Sequence, residues 1–160
     1  MTHTTIKQPN LIKIALYQPD IPQNTAAIIR ICACFNTRLD IIEPCGFIMN
    51  DKRFKRITMD YINSCKIKTF NNFEDFKIAK DRKRIILMTT KANIKYNKFK
   101  FKNNDTILFG RESAGAPKSI HNIVDHKLII PIHPKTRSLN IASSVAIALS
   151  EALRQNNLYL

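Results

Sequence analysis

The chain has 160 residues, 44% hydrophobic and 24% charged, with 26 Lys and Arg against 12 Asp and Glu for a formal net charge of +14. That length and balance fit one globular domain over residues 1–160 with a real buried core. No apolar run reaches membrane-span length, and Met1 to Asn10 holds no signal-peptide core, so a cytoplasmic protein with no membrane partner is expected.

The charge excess calls for a polyanionic partner, nucleic acid first, because clustered Lys and Arg gain from phosphate contacts and counterion release. A compositional bias toward Lys, Ile and Asn is the other source of such an excess. Cys32, Cys34, Cys45 and Cys65 form no CxxC pair, and His3, His121, His126 and His133 are scattered, so no metal site and reduced thiols are expected. Only three glycines are present: Gly46, Gly110 and Gly115. Neither a GxGxxG dinucleotide loop nor a P-loop can be built from them, which sets nucleotide hydrolysis aside.

In chain order, Ile12 to Tyr17 reads as a first strand, closed by Gln18-Pro19-Asp20 and Pro22. Asn24 or Thr25 then suits a helix N-cap, and Ile28, Ile29, Cys32 and Phe35 share one face with Arg30 turned away. Arg38 to Ile42 forms a second strand. Asp51 to Tyr61 predicts a helix whose Lys52, Arg53, Lys55 and Arg56 make a cationic face. A short strand (Lys66 to Phe70) and a short helix (Asn72 to Lys80) follow. Arg84 to Thr90 and Thr106 to Phe109 read as buried strands, separated by a solvated Lys-rich loop from Lys91 to Lys102.

After a helical turn from Lys118, the run Leu128 to Ile132 predicts the end of a last strand. His133 to Ser138 is a turn. Leu139, Ala142, Val145, Ala146, Leu149, Ala152 and Leu153 recur at helical spacing on a final helix rich in small residues. Alternating strands and helices predict an α/β fold with a mostly parallel sheet covered by helices on both faces. Three strands end in small, polar or turn-forming residues, at Thr89-Thr90, Gly110-Arg111-Glu112 and Ile132 to Ser138. If those strands are neighbours, they share one cleft at their carboxyl ends.

Three segments now stand in order: NTAAIIR (Asn24 to Arg30), ILFGRESAGAP (Ile107 to Pro117) and IIPIHPKTRSLNIASSVAIALSEALRQ (Ile129 to Gln155). With LYQPDIPQNT, IIEPCGF, DKRFKR and MDY between and before them, the chain resembles the SPOUT superfamily of S-adenosylmethionine-dependent RNA methyltransferases. The likeness is greatest to its small, single-domain TrmL/YibK-type tRNA 2′-O-methyltransferases. That resemblance implies a deep trefoil knot at the C-terminal end of the fold and methyl transfer to the ribose 2′-hydroxyl of nucleotide 34 of tRNA.

It also implies residue roles. Cofactor would be cradled around Met88, Thr89, Gly110, Ile130, Ser138, Leu139 and Asn140, although Met88 and Ile130 also suit plain core packing. Asn24, Arg30, Glu112, Ser138 and Asn140 would line the catalytic side. Lys52, Arg53, Lys55 and Arg56 would grip the anticodon arm, and the C-terminal helix region would form a homodimer. Two positions depart from the family pattern: Ala26 stands where Gly is common, and Ser150 where many relatives have Tyr. The rival readings are a non-catalytic RNA-binding protein with the same fold and a 2′-O-methyltransferase acting at a different tRNA or rRNA position.

Overall fold

The computed structural model describes residues 11–159; the stretch Met1 to Asn10, read above for a leader, and Leu160 lie outside the described residues. Seven strands of the described residues form one sheet: β1 (Lys13–Tyr17), β2 (Arg38–Ile42), β3 (Ile67–Phe70), β4 (Ile85–Met88), β5 (Ile94–Lys95), β6 (Thr106–Phe109) and β7 (His126–Ile129). Their spatial order is β3-β2-β1-β6-β4-β7-β5, and every pairing is parallel. A parallel sheet must be covered on both faces, which is why β4 and β6 are buried throughout.

Among the described residues six helices supply the cover: α1 (Pro22–Cys34), α2 (Lys52–Thr58), α3 (Tyr61–Ser64), α4 (Phe73–Ala79), α5 (Lys118–Ile123) and α6 (Ile141–Gln155). The two-residue strand period sends Ile14, Leu16, Leu39, Ile41, Ile107 and Phe109 to a core shared with α1, α2 and α6. The alternate positions Ala15, Ile42, Leu87 and Leu108 meet Phe76 of α4 and Ile120 of α5 on the other face. On α6, Val145, Leu149 and Leu153 are fully buried, each contributing about 1.5–3 kcal/mol of transfer free energy.

Several boundaries differ from expectation for identifiable reasons. The N-cap of α1 is Ile21, not Asn24 or Thr25, because Pro22 with its fixed φ occupies the first turn. The cationic helix stops at Thr58, where Met59 turns to φ 52°, and the chain restarts as α3 instead of running to Tyr61. The last strand ends at Ile129; Pro131 offers no N–H to a neighbour, and 130–140 is irregular. The expected loop 91–102 contains β5 and a 3₁₀ turn (Tyr96–Lys98). It is held by Phe101, which is 2% exposed, and by Arg84 stacked 5.0 Å from the Phe99 ring centre.

Candidate active site

The strands predicted to share a cleft, β4, β6 and β7, are adjacent, and their carboxyl ends surround a cavity of about 440 Å³. It lies where the sheet changes direction, between β1 winding one way and β4 the other. Its walls come from three connections. Met88, Thr89 and Thr90 leave β4; Phe109, Gly110, Arg111 and Glu112 leave β6; and Ile130, Ser138, Leu139 and Asn140 lie between β7 and α6. All seven residues expected to hold cofactor line it, as do Asn24, Glu112, Ser138 and Asn140 of the catalytic set.

The β6 loop is shaped by its glycines. Arg111 and Gly115 exchange backbone hydrogen bonds of 3.2 and 2.8 Å, and Gly115 has φ +66°, a left-handed value that favours glycine. Gly110 sits against this turn. A Cβ there would lie 2.3 Å from the Ala116 nitrogen and 2.5 Å from the Gly115 carbonyl carbon. Gly110 is therefore needed first for the loop to fold back on itself, a packing reason beyond open access to its amide.

Asn140 joins two parts of the site. Its Oδ1 accepts from the amides of Ala142 (2.9 Å) and Ser143 (3.4 Å), capping α6. Its Nδ2 donates to Asn24 Oδ1 at 3.0 Å, tying the first turn of α1 to the start of α6 across 116 positions of sequence. Ser144, one helical turn beyond Asn140, donates to the Asn140 carbonyl at 3.2 Å and also lines the cavity.

At the cavity edge Glu112 Oε2 accepts the Asp20 amide at 3.0 Å. Ser113 Oγ donates to Asp20 Oδ2, and Arg111 Nη2 lies 3.5 Å from the same oxygen. Burial, then the neighbouring Asp20 carboxylate, raises the Glu112 carboxyl above its ordinary range. The same proximity of the two carboxyls lowers Asp20, against its own burial and with help from Ser113 and Arg111. Glu112 Oε1 and Arg111 Nε remain buried without a protein partner, polar atoms available to a ligand.

Not every predicted residue enters the cavity. Arg30 is exposed on α1 with its guanidinium 4.9 Å from the centre of the Tyr61 ring. Lys52, Arg53, Lys55 and Arg56 are exposed on α2, which packs beside α1. Ala26 is 7% exposed, so its methyl packs into the core instead of crowding the site. At Ser150 a phenol arrives from elsewhere in the chain: Tyr159 Oη donates to the Ser150 carbonyl at 3.1 Å, its ring edge against Phe35. Asp20 and Phe109 were not expected at the site. Asp20 lies 92 positions from Glu112, a separation that carries no spacing signal.

A parallel α/β sheet with a ligand-sized crevice at the carboxyl ends of its strands, walled by backbone-rich loops, defines a small-molecule-binding α/β protein. The chain belongs to the SpoU rRNA Methylase family, whose profile matches residues 11–150. It is 44% identical over 145 residues to a tRNA (cytidine(34)-2′-O)-methyltransferase of Beijerinckia indica, covering 89% of this chain and 90% of that one. A solved structure concerned with 2-OH methylation of C/U34 on tRNA superposes with a TM-score of 0.88 at 31% identity, covering 93% of this chain and 98% of that one. An AdoMet-bound rRNA methyltransferase from Sinorhizobium meliloti shares the fold, with a TM-score of 0.83 at 22% identity over 92% of this chain and 57% of that one.

Proposed function

We propose that the chain transfers a methyl group from S-adenosylmethionine to the ribose 2′-hydroxyl of nucleotide 34 of tRNA. The observation that carries this reading is the cavity itself: β4, β6 and β7 end around it, and Asn24 is bonded to Asn140 at its wall. The relatives that match nearly the whole chain support the reaction and the target nucleotide. The residues present suit the cofactor. Met88, Phe109, Ile130 and Leu139 offer apolar surface, the loop backbones offer amides and carbonyls, and Glu112 keeps a buried oxygen free of protein partners.

S-adenosylmethionine, when bound, supplies an electrophilic methyl on a sulfonium. The protein's share is positional, since displacement requires the attacking oxygen, methyl and sulfur to be in line. Asn24 and Asn140 hold their amides rigid toward the incoming ribose because each fixes the other. A guanidinium donates hydrogen bonds and accepts none, so the role of Arg30 is to hold a backbone phosphate and orient the hydroxyl. Stacking on Tyr61 leaves the guanidinium charge exposed for that contact. Lys52, Arg53, Lys55 and Arg56 grip the anticodon arm through its phosphates.

The remaining assignments follow from the same reading. The 130–140 segment and α6 form a deep trefoil knot; the family resemblance supports it, as does the lodging of β7 between β4 and the earlier β5. A single domain working in the cytoplasm belongs to the same reading, and its four free thiols suit a reducing compartment. The transfer as proposed calls on no metal. Dimerisation through the α6 region would cover its partly exposed small-residue face at Ser143, Ala146 and Ser150.

The direct test is transfer of labelled methyl from S-adenosylmethionine to bulk tRNA lacking wobble methylation, with the product mapped after nuclease digestion. A 2′-O-methylated nucleotide 34 is expected. Label on a different ribose would overturn the site assignment. Absence of transfer, with cofactor and tRNA both bound, would favour the non-catalytic reading.

A further inference from the structure

A second cavity, of about 360 Å³, lies at the opposite end of the sheet, against the amino ends of β1, β2 and β3. Its wall holds six cations, Lys13, Arg38, Lys66, Lys68, Lys80 and Lys83, against one carboxylate, Asp40. Asp40 is already taken: it is 4% exposed and ion-paired to Lys80, which is 6% exposed. The other five cations have no acidic partner in the wall. Arg38, Lys66, Lys68 and Lys83 are exposed, and Lys13 is half-buried.

The sheet itself forces this crowding. The two-residue period puts Lys13, Arg38 and Lys68 on the face that carries Ala15, Ile42 and Phe70 further along the same strands. Pairing register sets Lys13 beside Arg38 and Asp40 beside Lys68. Like charges side by side on neighbouring strands cost stability. Burial first, then Lys80, Lys83 and Arg38, lowers the Lys13 pKa, and Asp40 offsets this only in part. Phe70, with Lys68 5.0 Å from its ring centre, gives the groove an apolar floor.

We propose that this groove binds the phosphodiester backbone of the substrate tRNA outside its anticodon stem-loop, a second RNA contact separate from the catalytic end. The proposal rests on the function proposed above. Only a polyanion relieves so many adjacent cations at once, and the open groove suits a continuous chain of phosphates. Strands of four or five residues separate the two ends by roughly 17 Å, so one RNA held at nucleotide 34 can reach the groove with another part of its backbone. Free polyphosphate shares the chemistry and is the alternative source.

The test compares the wild type with the triple variant Arg38→Gln, Lys66→Gln, Lys83→Gln, whose changed side chains are all exposed. Binding of full-length tRNA, of an isolated anticodon stem-loop and of tripolyphosphate is measured over a salt series, apart from methyl transfer. The variant should bind full-length tRNA roughly tenfold or more weakly, with a salt slope lower by about two to three. Its binding of the stem-loop should be unchanged. Unaltered tRNA binding, or equal loss for tRNA and stem-loop, overturns the proposal. So does loss of tripolyphosphate binding with tRNA binding intact, which would make free polyphosphate the occupant. Wild-type protein that binds tRNA but fails to methylate nucleotide 34 counts against the reaction, and the binding comparison still decides the groove.

Discussion

At the carboxyl ends of β4, β6 and β7 the chain places amides, hydroxyls and apolar side chains, with its carboxylates held by hydrogen bonds. At the amino ends of β1, β2 and β3 it places cations that outnumber their partners. The first region is organised by backbone approach and side-chain amides, so it suits a small molecule that must be held in one orientation. The second is organised by charge, so it suits a polyanion bound without fixed orientation. One parallel sheet thus separates chemistry from grip, because its two ends expose different backbone and different side chains to solvent.

Three substitutions probe that separation, taken from the largest expected effect to the smallest. Asp105, just before β6, is 1% exposed and accepts from Arg84 Nε (2.8 Å), Arg84 Nη2 (2.6 Å) and the Lys102 amide (2.7 Å). Removing it in Asp105→Ala leaves the Arg84 guanidinium with the Lys100 carbonyl but no carboxylate, and the Lys102 amide without its acceptor, and should cost about 2–3 kcal/mol in urea unfolding. Cofactor affinity of the folded variant should be unchanged; a fall would mean that the two ends are coupled. Asn140→Ala removes the α6 cap, worth about 1 kcal/mol, together with the tie to Asn24. Methyl transfer by the folded variant should fall by far more than the stability loss explains. If activity merely tracks the folded fraction, the Asn24–Asn140 bond is structural only.

The smallest effect concerns pH. The Glu112 carboxyl is raised in the fold from an ordinary value of 4.5, so the unfolded chain gives up that proton first. Stability contributed by the protonated form is present below 4.5 and is lost as pH rises through the raised folded value. Asp20, lowered from 3.8, runs the other way: its contribution is present above 3.8 and is lost as pH falls through the lowered value. Glu112→Gln should therefore remove the loss on the neutral side of pH 4.5 and keep the loss on the acid side. Urea midpoints measured across that range check this, and an unchanged neutral-side slope would contradict it.

The parallel sheet was legible because its strands are short apolar runs between turn signals, and Thr106 to Phe109 is bounded as its pattern predicts. The cleft was legible from the small and polar residues just beyond three strand carboxyl ends, which prove to be neighbours. Long-range pairings left no trace. The Asn24–Asn140 bond and the Asp20–Glu112 contact join segments 116 and 92 positions apart, and nothing local in either segment points to the other. Ser144 could have been found, since it lies one helical turn after Asn140. The amino-end groove was hidden because Lys13, Arg38 and Lys66 sit in three separate strand starts, and only the register brings them together.

Equilibrium binding of S-adenosylmethionine by calorimetry, to the wild type and to Gly110→Ala, tests the central claim most directly. The added methyl would lie 2.3 Å from the Ala116 nitrogen, so the β6 loop must move and the cavity wall with it. Leu139→Glu, at a 39% exposed position on the cavity rim, serves as a second variant in which the fold is kept. The account predicts saturable binding to the wild type and a loss of roughly tenfold or more in both variants, from about 1–3 kcal/mol of misfit. Wild-type affinity in both folded variants would contradict it and put the cofactor elsewhere.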